Sequence, residues 1–184
     1  PSRMSVMTGR DIHNIEVWDN DSLLATNALT WPHRLRAVGY DVVLSGKQHF
    51  VGPDKLHGFR TQLGRDPHGD NVHPIFPWRD GVIPAKQPWQ GVYEAGPGTT
   101  KEIEVDDEAE AAALAYIRDP ARKGQPWALN VSFIAPHFPL VAPQQYWDLY
   151  PPEKMDLPNI PPGHLENLHP VYQRMRTMFG LIDY

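Results

Sequence analysis

The sequence predicts an α/β fold in which a mostly parallel central sheet is flanked by helices, and three stretches carry that expectation. The run Asp41-Val42-Val43-Leu44 is apolar, rich in β-branched residues and bounded by Gly39 and Gly46, the pattern of a strand buried on both faces of a parallel sheet. A helix-spaced segment beginning at Thr30 leads straight into it, so helix and strand form one αβ unit. A second strand-like run, Trp127 to Ile134, follows a helical segment in the same way.

Taken in order, Ser2 to Arg10 sets small and apolar residues around Arg3, with Met4, Val6 and Met7 able to face a core. Asp11 to Thr26 has no clear period and carries Asp19, Asn20 and Asp21 around Trp18, so it reads as a loop shaped by side-chain turns. Trp18 could offer an aromatic face to a quaternary ammonium or simply pack in the core. Thr30 reads as an N-cap with Pro32 in the first turn, and Leu35 and Val38 follow at helical spacing before Gly39 ends the element. From residue 53 to residue 98, prolines at 53, 67, 74, 77, 84, 88 and 97 indicate a long irregular excursion. His57, His68 and His73 in this excursion match no zinc spacing, and substrate recognition by some of His57, Arg60, His73, Trp78 and Trp89 is the expected role.

Thr100 to Val105 reads as a short strand. Asp107 then reads as the cap of a helix with Glu110 at the capping-box position and Leu114 and Ile117 as its apolar face. The acidic residues 106–110 are expected to complement that helix N-terminus and not to bind a metal. Residues 142–150 read as a short helix opened by Pro143, residues 151–162 as a semi-extended connection, and residues 171–183 as a further helix through Met175, Met178, Phe179 and Ile182.

Composition sets bounds on partners. A chain of 184 residues with 41% hydrophobic content can bury one sizeable core. A net charge of −5 with scattered basic residues argues against a nucleic-acid groove. No run approaches the roughly 18 apolar residues of a membrane span. There is no cysteine and no internal repeat.

The chemistry is expected at the strand exit, because ligands in open α/β sheets bind beyond the carboxyl ends of the strands. Lys47 and His49 stand there two residues apart; in an extended exit both would point to one side, presenting a fixed cation and a proton carrier to an anion. A solvated lysine and a turn-satisfying histidine would be the plainer reading of the same residues. After the Trp127–Ile134 run, His137 is held between Pro136 and Pro139, which restrict its backbone, and it either acts on a ligand or caps the strand.

Two motifs bear on the choice. Pro1-Ser2-Arg3-Met4-Ser5-Val6-Met7-Thr8-Gly9-Arg10 resembles the sulfatase signature C-x-P-S-R-x-x-x-x-T-G-R from its third position. Gly39-Tyr40 followed by Gly46-Lys47-Gln48-His49 resembles the second signature of that family, G-Y-x-x-x-x-x-G-K-x-H. Residues 50–58 look most like the choline-sulfatase branch, and Pro136-His137-Phe138-Pro139 resembles the family pattern P-H-x-P.

The resemblance implies an alkaline-phosphatase-like sandwich, incomplete at both ends, with residues 1–184 as a partial N-terminal portion of the catalytic domain and 53–98 as a substrate-loop insertion. It implies hydrolysis of a sulfate ester, either a small molecule or a carbohydrate, by a formylglycine that a formylglycine-generating enzyme makes from a cysteine upstream of Pro1. It implies Ca2+ with ligands outside this stretch and no metal ligand within it. Residues 2–10 would form the helix after the nucleophile, and Arg3 would hold the nucleophile's oxygens unless it is a surface ion pair. Lys47 would bind the sulfate, His49 would handle the formylglycine proton, and His137 would reach the ester oxygen. Trp18, Asn20 and His57 would line the substrate pocket. The same signature occurs in phosphonate and phosphate-ester hydrolases and would also fit a catalytically inactive binding protein. Neither membrane nor nucleic acid is an expected partner.

Overall fold

A computed structural model describes residues 1–20, 22–67 and 94–181. They fall into two compact units, Pro1–Ile75 with Lys101–Ala135 and Phe76–Thr100 with Pro136–Tyr184. The strands are β1 (Asp41–Gly46), β2 (Thr61–Leu63), β3 (Ala95–Pro97), β4 (Trp127–Ser132) and β5 (Leu140–Ala142). The helices are α1 (Ser2–Thr8), α2 (Ile12–Ile15), α3 (Trp31–Ala37), α4 (Lys101–Arg118), α5 (Gln144–Trp147) and α6 (Pro170–Met178). None of them is long and apolar enough to cross a membrane.

In the first unit β1 is the central strand of a parallel sheet in the order β2-β1-β4. Its register with β4 runs from Asp41 opposite Trp127 to Gly46 opposite Ser132. The two-residue period sends Val42 and Leu44 into a core with Met4 and Met7 of α1, Ile15, Val17, Leu24, Phe50 and Phe59. Ser45, on the opposite face, donates to the Ala109 carbonyl of α4 at 2.7 Å. Helices therefore cover both faces of the strand, as its unbroken apolar run predicts, and burying each of Val42, Val43 and Leu44 contributes about 1.5–3 kcal/mol.

Several local expectations are corrected. Residues 100–105 are not a strand, because α4 starts at Lys101 and carries Glu102 and Glu104 in its first turn, where they favour the helix dipole. The residues it buries are Val105, Ala109, Ala113 and Tyr116, one helical stripe, while Leu114 and Ile117 are exposed and Asp107 and Glu110 lie inside the helix and do not cap it. The β-branched Ile103 and Val105 look strand-like locally, but docking on β1 rewards the helical stripe.

In α1, Met4 and Met7 share the buried face and Val6 is 75% exposed, as a 3.6-residue period requires. The loop after it holds the one-turn helix α2, from which Ile15 enters the core. The excursion at 53–98 contains β2 and β3, each three residues long and too short to show a period of its own. The chain is drawn onto β1 just before β2, where the Arg60 amide donates to the Val42 carbonyl at 2.8 Å. His68, His73, Trp78 and Trp89 lie outside the described residues, as does Ile182.

The second unit pairs β3 and β5 in parallel, Ala95 opposite Leu140 and Pro97 opposite Ala142. The short helix α5 follows Pro143 as expected. His169 caps α6, accepting from the Val171 amide at 3.3 Å.

Candidate active site

The site is built where β1 ends. Gly46 has φ +84°, and a Cβ there would overlap the Ser132 carbonyl oxygen, so only glycine lets the two strands run side by side to this point. The Lys47 amide then donates to the Ser132 carbonyl at 2.8 Å, which fixes the lysine backbone against β4. Lys47 is 7% exposed, and no hydrogen bond or ion pair engages its ammonium among the described residues. Burial pushes its pKa below the ordinary lysine value, the Arg3 charge lowers it further, and Asp106 and Glu102 oppose both. Holding a lysine side chain this far out of water with no partner for its ammonium among the described residues costs stability. Arg3, half-buried on α1, stands close enough to act on it electrostatically.

His49 is not the parallel neighbour of Lys47 that an extended exit would make it. Its backbone is left-handed, φ +63°, and its Nε2–H donates to the Asn20 carbonyl at 2.9 Å. A carbonyl only accepts, so Nε2 carries the proton of this bond. Asn20 thus contributes its backbone, and its side chain is exposed. Between the two, Gln48 is buried and its Oε1 has no partner among the described residues.

The Trp18 loop is shaped by Ser22, whose hydroxyl donates to Asp19 at 2.7 Å and accepts from the Trp18 amide at 3.2 Å. Trp18 itself is 61% exposed, so its ring is available to a ligand and is not core. His57 is the opposite case, being 1% exposed. Its ring lies 4.6 Å from that of Phe50, its amide donates to Asp54 at 2.9 Å, and its carbonyl accepts from the Thr30 hydroxyl at 2.5 Å. Burial lowers its pKa, with Asp54 opposing and His33 adding to the effect. It fastens the 54–57 turn to the N-terminus of α3 and is walled off from solvent. Arg60, also expected near substrate, instead pairs with Asp41 at the other end of β1, at 2.5 and 2.8 Å.

Sequence reasoning missed Asp106. It sits within α4, and its two carboxylate oxygens accept from the amides of Ile134 at 2.7 Å and Ala135 at 2.9 Å, holding the exit of β4. The partners are 28 and 29 residues away, and no local pattern announces such a bond.

His137 belongs to the second unit. It is exposed, its Nδ1–H donates to the Phe138 carbonyl at 2.7 Å, and its ring rests 4.2 Å from that of Phe138. Among the described residues no cluster of three or more His, Asp or Glu side chains could hold a metal ion.

No family model matches the chain. The choline-sulfatase of Rhizobium meliloti (strain 1021) is 36% identical over 164 residues, which are 82% of this chain and 31% of that protein. The ulvan-active sulfatase of Formosa agariphila is 27% identical over 172 residues, 88% of this chain and 31% of that protein. The phosphonate monoester hydrolase from Silicibacter pomeroyi superposes with a TM-score of 0.58 at 23% identity, covering 89% of this chain and 37% of that one. The phosphonate monoester hydrolase of Agrobacterium radiobacter superposes with 0.56 at 20%, covering 85% and 35%. The chain therefore spans 31% of the length of each of these two curated relatives.

The two solved structures bear on the fold alone, an alkaline-phosphatase-like α/β architecture with parallel strands and flanking helices. The curated relatives narrow it: over most of its length the chain is similar to sulfatases.

Proposed function

We propose that the whole protein is a sulfuric ester hydrolase and that this chain, an N-terminal part of its catalytic domain, supplies the cationic and proton-handling groups of the active site. The observation that carries the reading is Lys47, a buried ammonium with no partner among the described residues, at the carboxyl end of the central strand. A fixed charge in a water-poor wall stabilises the negative charge spread over sulfuryl oxygens more than a solvated one does. Arg3 adds a planar fork suited to holding the nucleophile's oxygens. His49, oriented through Nε2 by the Asn20 carbonyl, handles the proton of the nucleophile's hydroxyl, as the family resemblance implies. By the family resemblance of its Pro-His-x-Pro motif, His137 as the imidazolium, with a proton on Nε2 as well as on Nδ1, would give the Nε2 proton to the departing alcohol. Trp18 gives the approach an aromatic wall, Asn20 shapes the turn beside it, and His57 braces the neighbouring loop.

A formylglycine, produced from a cysteine two residues before Pro1 by its generating enzyme, would supply the hydroxyl that attacks sulfur. A calcium ion, held by ligands elsewhere in the protein as the family resemblance implies, would add further positive charge.

The phosphonate monoester hydrolases that share the fold favour one alternative, a phosphonate or phosphate ester as substrate. The test is kcat/KM of the full-length protein on choline sulfate, nitrophenyl sulfate and a phenyl phosphonate monoester. Sulfate esters are expected to turn over fastest, and a preference for the phosphonate would overturn the reading.

A further inference from the structure

We propose that Asp106 is a positioning residue for Lys47: a counter-charge clamped at a distance, so that the buried ammonium stays protonated but unpaired and open to an anion. The proposal rests on the reading of Lys47 as the anion-binding group.

The geometry comes first. The Lys47 amide is bonded to the last residue of β4, Ser132, at 2.8 Å. Two and three residues farther along the same chain, the amides of Ile134 and Ala135 are bonded to Asp106 at 2.7 and 2.9 Å. Lysine and carboxylate are therefore anchored to one short stretch of backbone, and no ion pair joins them. Each amide takes a different oxygen, Oδ1 for Ile134 and Oδ2 for Ala135, so the carboxylate is held in one orientation and cannot turn toward the ammonium without breaking a bond. A carboxylate free to turn beside a buried lysine would close a direct salt bridge, and that bridge would compete with substrate.

The charges around Lys47 agree with this arrangement. Arg3 on α1 disfavours the protonated form, and Asp106 and Glu102 on α4 favour it, Asp106 the more strongly. His49, two residues on, is turned to the Asn20 carbonyl. Burial and Arg3 together still depress the lysine, so losing Asp106 removes the larger of the two charges that keep it protonated.

The test uses the full-length protein and two readouts, the pH profile of kcat/KM and NMR titration of the Lys47 13Cε. Asp106→Asn is expected to move both the alkaline limb and the Lys47 titration to lower pH. In the Lys47→Arg background, where a guanidinium stays charged, Asp106→Asn is expected to move nothing. A loss of kcat/KM that is equal at every pH, with the Lys47 titration unmoved, overturns the proposal and leaves Asp106 a brace for β4. If no ester of any class is turned over, the proposed function fails, while the NMR titration still decides this inference. Should Asp106→Asn not fold, Asp106→Glu decides. Its longer arm releases an oxygen to reach Lys47, so the Lys47 titration is expected to rise and affinity for inorganic sulfate to fall, and unchanged sulfate affinity overturns the proposal.

Discussion

Lys47→Met separates what the buried lysine does for function from what it does to stability. Methionine keeps an unbranched side chain of similar length in the same slot and removes the ammonium. Lys47 is 7% exposed and its ammonium has no partner among the described residues, so the substitution relieves the cost of holding an unsatisfied polar group out of water, about 1–3 kcal/mol by mutational precedent. The full-length variant should be more stable than the parent by that amount at pH 7, and should lose about 100- to 1000-fold in kcat/KM on sulfate esters. The pH dependence follows from the sign of the shift. The folded-state pKa lies below the ordinary 10.5, so the cost is fully present while both states are protonated and fades as pH rises from the folded value toward 10.5. The stability gap between variant and parent should therefore shrink across that window. Urea midpoints at unchanged slope, taken at pH 7 and at steps up to pH 10.5, measure it. A variant no more stable than the parent at pH 7 would refute the reasoning, because it would mean that the ammonium is already compensated.

Three further outcomes are expected. His137→Ala should lose far more kcat/KM on an alkyl sulfate than on nitrophenyl sulfate, because general-acid help of about 100- to 10,000-fold matters only where a basic oxygen departs, whereas Lys47→Ala should lose about equally on both. Gly46→Ala should lower the unfolding free energy by at least the roughly 1–2 kcal/mol of a left-handed backbone, read from the melting midpoint, since its Cβ also overlaps the Ser132 carbonyl. At the other end of β1, burial alone would raise the Asp41 carboxyl, but hydrogen bonds from Arg60 and Tyr116 and the charges of Arg60 and Arg122 hold it below the ordinary carboxylate value. Asp41→Asn should then cost about 1–3 kcal/mol at neutral pH, discounted because Arg60 is largely exposed, and the gap should close as pH falls through the lowered Asp41 value. Tyr116, pushed up to about 12 by burial and by its bond to Asp41, should ionise at lower pH in that variant, as ultraviolet titration would show.

By itself the sequence determined the elements whose reasons are local. The apolar β1 run, the Thr30 cap before α3, the strand at Trp127 and the order of Gly46, Lys47 and His49 all follow from side-chain period, cap chemistry and glycine placement within a few residues. Even the glycine that permits the turn at 46 is legible, because its left-handed backbone is a local demand. Only tertiary structure decided the rest. The stripe Val105-Ala109-Ala113-Tyr116 is chosen over Leu114 and Ile117 by what β1 offers to pack against. β2 exists because β1 has a free edge to pair, and His57 is buried because Phe50 and Thr30 close over it. His49 leaves the extended path and bonds its ring to the Asn20 carbonyl, 29 residues back. Asp106 is held by amides 28 and 29 residues ahead, for the same reason: hydrogen bonds and burial act between neighbours in space, and sequence spacing records only neighbours along the chain.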